Sequence, residues 1–163
     1  GIPVAGRRIL LVGVGGAGVA IAASLAARGV GDLQLFDPTP GRAAAAAGRM
    51  AQAFGITAAA ARSNDPAGFD LVINASPLGL DADDPLPFDV DRLDASAAVV
   101  DILMKQLRTP LLRACHARGI TAHAGHEMLV QQTPEYLSFF GFPEIAQAVQ
   151  ADPSAVRALL LSQ

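Results

Sequence analysis

The stretch Arg8-Ile9-Leu10-Leu11-Val12-Gly13-Val14-Gly15-Gly16-Ala17-Gly18 decides the fold. From Arg8 to Val14 it is continuously apolar after its arginine, as a parallel strand covered on both faces would be. Gly13, Gly15 and Gly18 then follow in G-x-G-x-x-G spacing, and Ala17 to Arg28 is a run of good helix formers closed by Gly29. Each glycine has a physical reason. Gly13 permits the tight turn, Gly15 lets backbone approach a pyrophosphate, and Gly18 lets helix pack on strand. The helix points its free N–H groups and positive dipole end at the phosphates. A glycine motif alone is weak evidence, but here it joins a strand to a helix. Leu33 to Phe36 is the next strand, and Asp37 ends it nineteen positions after Gly18. That is close to the roughly 20 expected of the carboxylate that accepts adenosine ribose hydroxyls. The alternative is a plain glycine turn with Asp37 starting a loop.

Outward from this unit, strand-length apolar runs alternate with helix-like segments. The pattern predicts a helix over Arg42 to Phe54, strands over Ile56 to Ala60, Asp70 to Asn74 and Ala97 to Leu103, and a helix over Thr109 to Arg118 with Pro110 in its first turn. A sixth strand over Ile120 to His123, a long helix from His126 to Phe140, and two proline-opened helices, Pro143 to Gln150 and Pro153 to Leu161, complete the chain. The fold class is α/β: a doubly wound, Rossmann-type parallel sheet of six strands with helices on both faces. Ligands on such sheets sit beyond the carboxyl ends of the strands at the switch point.

At 163 residues, with 52% hydrophobic and 17% charged side chains, the chain makes one sizeable globular domain over 1–163. A net charge of −3 gives no general attraction to nucleic acid or anionic lipid. The apolar stretches are broken well short of the roughly 20 residues that span a bilayer, so neither nucleic acid nor membrane is an expected partner. The single cysteine, Cys115, excludes an intramolecular disulfide and fits a reducing compartment, so a cytoplasmic location is expected. Lys105 is the only lysine, and it reads as a surface residue of a post-strand loop. Asp81, Asp83 and Asp84 lie among prolines and read as a solvated loop. His123, His126 and Glu127 lack the helical His-Glu-x-x-His order and a nearby fourth ligand, so no metal site is expected. His126 or Glu127 could instead contact a substrate, or serve as buried or capping groups.

Two families resemble parts of this sequence. Ile9 to Asp37, with Gly-Gly inside the turn and Gly29-Val30-Gly31-Asp32-Leu33 after the helix, resembles the nucleotide-binding segment of adenylating enzymes of the ubiquitin-activating type. Their Ser-Asn-Leu-x-Arg-Gln stretch is missing, and Asp37-Pro38-Thr39-Pro40-Gly41-Arg42-Ala43 stands there instead. The second half favours another family. Asn74-Ala75-Ser76-Pro77-Leu78-Gly79, Asp101-Ile102-Leu103-Met104 followed by Thr109-Pro110-Leu111-Leu112, and Gly125 through Met128-Leu129-Val130-Gln131-Gln132 resemble three ordered motifs of shikimate and quinate dehydrogenases. The match covers essentially the whole chain and concerns that family's C-terminal, cofactor-binding half.

The resemblance implies an NAD(P)-linked oxidoreductase of aromatic amino acid biosynthesis, acting on a ring hydroxyl of a small shikimate- or quinate-like hydroxy acid. It assigns Gly13, Gly15, Gly16, Ala17, Gly18, Asp37, Thr39, Arg42, Asn74, Ala75, Ser76, Ile102, Gly125 and Met128 to the cofactor, with Gly15, Gly16 and Ala17 on the pyrophosphate and Ser76 on the nicotinamide side. Gln132 and Met104 fall at substrate positions, Gln132 matching a glutamine that bonds the substrate's ring hydroxyls. NADP-using members carry Asn-Arg-Thr-x-x-Arg after the second strand; here Asp37 and Pro38 replace Asn and Arg, while Thr39 and Arg42 remain. A carboxylate repels a 2′-phosphate and accepts well from a ribose diol, so NAD is the expected cofactor and NADP the lesser one. Met104 stands where the family has tyrosine, and Glu127 where it has a second glycine by the nicotinamide. The family's catalytic lysine and aspartate lie in an N-terminal domain that is not in this chain, so the chain alone should bind cofactor without turnover. A non-catalytic dinucleotide-binding module and, behind it, an ATP-dependent adenylating enzyme are the alternatives. Oligomeric state is not readable.

Overall fold

The computed structural model describes residues 2–81, 83–105 and 108–161. Six strands, β1 (Arg8–Val12), β2 (Asp32–Phe36), β3 (Thr57–Ala60), β4 (Leu71–Asn74), β5 (Ala98–Asp101) and β6 (Thr121–Ala124), form one parallel sheet in the order β3-β2-β1-β4-β5-β6. The chain builds outward from β1 to β3, then returns to β1's other side, so the switch point lies between β1 and β4. This is the expected α/β doubly wound arrangement. Among the described residues six α-helices complete it, α1 (Gly16–Ala27), α2 (Arg42–Phe54), α3 (Pro110–Ala117), α4 (His126–Phe139), α5 (Pro143–Ala151) and α6 (Ser154–Leu161), with a short 3-10 turn at Val90–Arg92. Among the described residues no helix is long and apolar enough to cross a membrane.

Strand alternation sorts the core into two layers. Ile9, Leu11, Leu33, Leu35, Leu71 and Ile73 face α1 and α2, whose small residues Ala22, Ala26, Ala43, Ala46 and Ala47 allow close approach. Leu10, Val12, Val72 and Val99 face the other way, onto Leu111 and Cys115 of α3 and onto Phe88, Val90 and Leu93 of the β4–β5 connection. The alanine run of α2 is therefore a packing face. Gly55 stops that helix in a left-handed conformation, φ 66°, which only glycine enters at no steric cost.

Strand ends differ from the sequence expectation by one or two residues. The apolar run predicts β1 through Val14, but Gly13 turns at φ 94° and ends the strand at Val12. Ile120 precedes β6 rather than opening it, and the strand extends to Ala124. The result is an aligned edge. Phe36, Val12, Asn74, Asp101 and Ala124 are the last residues of β2, β1, β4, β5 and β6, and they pair with one another in a single row.

Cys115 is fully buried. Burial first, and the neighbouring Asp101 charge second, push its thiol up to about 11, against a smaller opposing effect of Arg118. A thiol with that pKa has almost no thiolate at neutral pH, and thiolate is the reactive species. Iodoacetamide at pH 8 should therefore leave Cys115 unmodified in the folded chain and label it on unfolding in urea, as mass spectrometry would read.

Candidate functional site

The residues immediately after the aligned edge are Asp37, Gly13, Ala75, Ile102 and Gly125, every one a position singled out from the sequence. Backbone hydrogen bonds carry the sheet's ladder one step further. Gly13 N–H donates to Phe36 O (2.8 Å), Ala75 N–H to Val12 O (2.7 Å) and Ile102 N–H to Asn74 O (3.1 Å). The loops thus leave the sheet side by side, and their separation is fixed by main chain.

At the switch point the β1 and β4 loops touch. A Cβ on Gly13 would lie 2.5 Å from Ser76 N and 2.6 Å from Ala75 C, and one on Gly18 would fall onto the Gly13 carbonyl. Gly15 and Gly16 face open space, with nothing within 4 Å of an added Cβ. Gly15 is the N-cap of α1 and contributes no side-chain cap. The helix N-terminus is therefore bare of side chains and open outward, the geometry that receives an anion on backbone N–H groups.

Asp37 closes the corner between the ends of β1 and β2. Its Oδ2 accepts from Val14 N–H at 2.9 Å and its Oδ1 from Thr39 N–H at 2.9 Å, with Arg42 Nη1 at 3.5 Å from Oδ1. Burial works against the charged carboxylate. The Val14 and Thr39 N–H groups, the Thr39 hydroxyl and Arg42 outweigh it, and hold the carboxyl below the usual carboxylate range. Asp37 thus braces the glycine turn and keeps lone pairs for a ligand, since a carboxylate offers about four acceptor sites. Arg42 and Thr39 are exposed beside it.

On the other side of the switch point a buried polar network supports the Ser76 turn. Asn74 is fully buried, and its amide nitrogen donates to Asp101 Oδ1 (3.0 Å) and to Leu78 O (3.2 Å). Its amide oxygen accepts from Ser76 N–H (3.0 Å) and from Ser76 Oγ (2.6 Å). Asp101, also fully buried, accepts from Leu103 N–H and, at 2.5 Å, from Thr109 Oγ1. Thr109 is the N-cap of α3 and accepts from Leu112 N–H. Asn74 therefore acts from beneath the turn, with Ala75 and Ser76 nearer the cleft. Asp101 and Thr109 were visible in sequence only as parts of a motif. The signal for their role is a threonine directly before the N1 proline of a helix, eight residues after an acid that ends an apolar strand.

Gly125 abuts the β5 loop, where an added Cβ would lie 2.5 Å from Ile102 O. Met128 and Gln132 come next on α4, both half-buried, and Gln132 Oε1 accepts from Tyr136 OH at 3.3 Å. Met104 is 38% exposed on the β5 loop. Glu127 turns away from this row to Arg157 of α6, whose Nε and Nη2 donate to its two oxygens at 2.6 and 2.9 Å. That pair holds the Glu127 carboxyl below its ordinary range. His126 Nδ1 is buried without a hydrogen-bond partner among the described residues. Among those residues no three His, Cys, Asp or Glu side chains are placed to share a metal ion.

No protein-family model matches the chain. Curated proteins do. The shikimate dehydrogenase (NADP(+)) of Methylobacterium radiotolerans is 38% identical over 157 residues, covering 91% of this chain and 55% of that protein. The shikimate dehydrogenase (NADP(+)) of Acidiphilium cryptum is 37% identical over 158 residues, covering 92% and 55%. Among solved structures, quinate dehydrogenase from Corynebacterium glutamicum in complex with NAD superposes with a TM-score of 0.80 at 30% identity, over 98% of this chain and 56% of that one. The ligand-free 5-ketofructose reductase of a Gluconobacter strain gives 0.78 at 26% identity, over 92% and 58%. The chain spans about half the length of the curated relatives it matches. Homologues and neighbours thus agree with the motif resemblance to shikimate and quinate dehydrogenases, and decide for it over the adenylating enzymes.

Proposed function

We propose that this chain is the cofactor-binding half of an oxidoreductase that interconverts a ring hydroxyl and a ketone on a shikimate- or quinate-like acid, and that its cofactor is NAD. The observation that carries the reading is the glycine turn after β1, which abuts the β4 loop at Gly13 on the switch-point side and is pinned on the β2 side by the Val14 N–H bond to Asp37. The residues present fit a nicotinamide dinucleotide. Gly15, Gly16 and Ala17 offer backbone N–H groups at a bare helix start for the diphosphate, and Asp37 offers lone pairs to the adenosine ribose. Ala75, Ser76, Ile102, Gly125 and Met128 border the nicotinamide end. Bound there, the dinucleotide supplies the hydride acceptor or donor for the alcohol–ketone step.

This chain's own part is to bind and orient. We assign Gln132, four residues after Met128 on α4, to the substrate side, where it aligns the ring hydroxyls, and Met104 of the β5 loop to the same side. The proton of the alcohol goes to a base in the N-terminal domain that we assign to the parent protein. Assaying that parent with NAD against shikimate, quinate and related hydroxy acids tests the reading, and inactivity with all of them defeats it.

Cofactor choice rests on charge. The Methylobacterium and Acidiphilium relatives are NADP(+) enzymes by name, yet Asp37 places a carboxylate where a 2′-phosphate would come, and its pairing with Arg42 uses the nearby cation. NADH should bind this chain at least tenfold more tightly than NADPH, a difference of about 1.4 kcal/mol, as fluorescence titration would measure. The double change Asp37→Asn with Pro38→Arg should move the preference toward NADPH. Equal affinity of the unchanged chain for both would overturn the NAD assignment.

A further inference from the structure

The loops that follow β4 and β5 meet again beyond the Ser76 turn. Gly79, left-handed at φ 97°, lies against the β5 loop, where an added Cβ would stand 3.5 Å from Leu103 Cδ1 and 3.9 Å from Pro110 Cδ. Farther out, Lys105 Nζ donates to Asp81 Oδ1 at 2.7 Å. Both partners are exposed, and an exposed ion pair ordinarily contributes little, because ordering two mobile side chains offsets most of the attraction. Two features set this pair apart. Asp84 Oδ2 accepts from Gly79 N–H at 3.2 Å and from Asp81 N–H at 3.0 Å, so the backbone that carries Asp81 is already fixed. The Asp84 charge also acts on Lys105. The lysine's pKa is raised first by the bond to Asp81 and by that carboxylate's charge, against an opposing cost of desolvation, and then by Asp84. One ammonium thus answers to two acids, and it belongs to the chain's only lysine.

Lys105 directly follows Met104, and Leu103 directly precedes it. Leu103 is 9% exposed, and its N–H is held by Asp101 Oδ1 at 3.3 Å. Met104 therefore stands between a residue fixed from beneath and one fixed from the neighbouring loop. We infer that Lys105 and Asp81 form a strap between the β4 and β5 loops, and that Lys105 is a positioning residue which sets the place of Met104 relative to the Ser76 turn. What Met104 faces there, the ring of the hydroxy acid, rests on the proposed function; the strap rests on the contacts alone. Methionine has little means of holding itself in place. Its side chain is unbranched, with three rotatable bonds, and its sulfur is only a weak acceptor. The backbone on either side must supply the order, and the strap supplies it on the side away from Asp101.

Methyl NMR of carbon-13-labelled methionine gives a test, because the chain has three methionines: Met50 in the core, Met128 at the proposed nicotinamide end, and Met104 on the strapped loop. In Lys105→Gln the Met104 methyl signal should shift and its order parameter fall, while Met50 stays unmoved. Lys105→Arg should keep the original signal. The charge exchange Lys105→Asp with Asp81→Lys should restore it, since Asp84 holds its loop through main-chain N–H groups that the exchange leaves in place. Sodium chloride at about 0.5 M should move the unsubstituted signal along the same path. In the parent protein, Lys105→Gln should raise KM for the hydroxy acid about two- to fivefold and leave NADH affinity unmoved. A Met104 signal that Lys105→Gln does not displace overturns the strap, as does a charge exchange that restores nothing. A displaced signal with an unchanged KM overturns its bearing on substrate. The same spectra separate this strap from the cofactor reading: a Met128 signal indifferent to NADH defeats that reading and leaves the strap standing. Inactivity of the parent with every hydroxy acid defeats the proposed substrate, and the Met104 signal then decides the strap by itself.

Discussion

Gly13→Ala should remove a large share of the stability of this chain and all measurable dinucleotide binding. Two costs add. At φ 94° a Cβ-bearing residue is strained, by roughly 1–2 kcal/mol. The Cβ would also stand 2.5 and 2.6 Å from main-chain atoms of Ser76 and Ala75, and backbone held in a sheet ladder cannot step aside. Relief requires parting the β1 and β4 loops, which breaks the Ala75 N–H bond to Val12 O. A combined loss of roughly 4 kcal/mol or more is expected, against total stabilities of about 5–15 kcal/mol for domains in general. Urea unfolding followed by circular dichroism measures the first effect and NADH titration the second. Gly16→Ala is the control: an added Cβ there meets nothing within 4 Å, so stability should change by less than about 1 kcal/mol. A Gly13→Ala protein as stable as the unsubstituted chain would show that the β1 and β4 loops can part without cost.

Asp101→Ala should be the second most damaging change. It leaves Leu103 N–H and the Thr109 hydroxyl without their acceptor in a fully buried place, and takes one of two acceptors from the Asn74 amide. Each buried group left unsatisfied costs about 1–3 kcal/mol, and a loss of roughly 3 kcal/mol is expected for the set. The consequence reaches the cleft, because Asn74 holds Ser76 by two hydrogen bonds. Asp101→Asn should be milder. The remaining oxygen still accepts from Asn74 and Leu103, and the Thr109 hydroxyl can rotate to accept from the new N–H. Urea midpoints that rank Asn as damaging as Ala would mean that the side chain's charge, not its acceptor geometry, supports the turn.

Most of the fold was legible in residues 8–37, and the reason is physical. A buried parallel strand, a glycine turn and an alanine-rich helix are each set by local sterics, so Gly13, Gly18 and Gly55 carry their meaning on their own. Strand ends were less legible. Val14 is as apolar as Val12, and only the backbone reversal at Gly13 ends β1. The Asn74–Asp101–Thr109 network was not legible as a network, because hydrogen bonds between residues 27 and 8 positions apart depend on two strands pairing in one particular register. The difference between the two faces of β5 was equally hidden, since Val99 and Val100 read identically in sequence, yet Val99 is fully buried and Val100 half-buried.

Five strands that stop in one row give this protein a level shelf. Because the residue just past the shelf is held by main chain in the loops after β1, β4 and β5, the remainder of each loop can lengthen, shorten or change sequence without tilting the floor beneath it. Under the proposed function, drift at residue 38 would bear on the choice of dinucleotide and drift at 104 on the choice of substrate without moving the row of strand ends, whereas Asp37 and Glu127 are tied to Val14 and to Arg157 and would carry a change further.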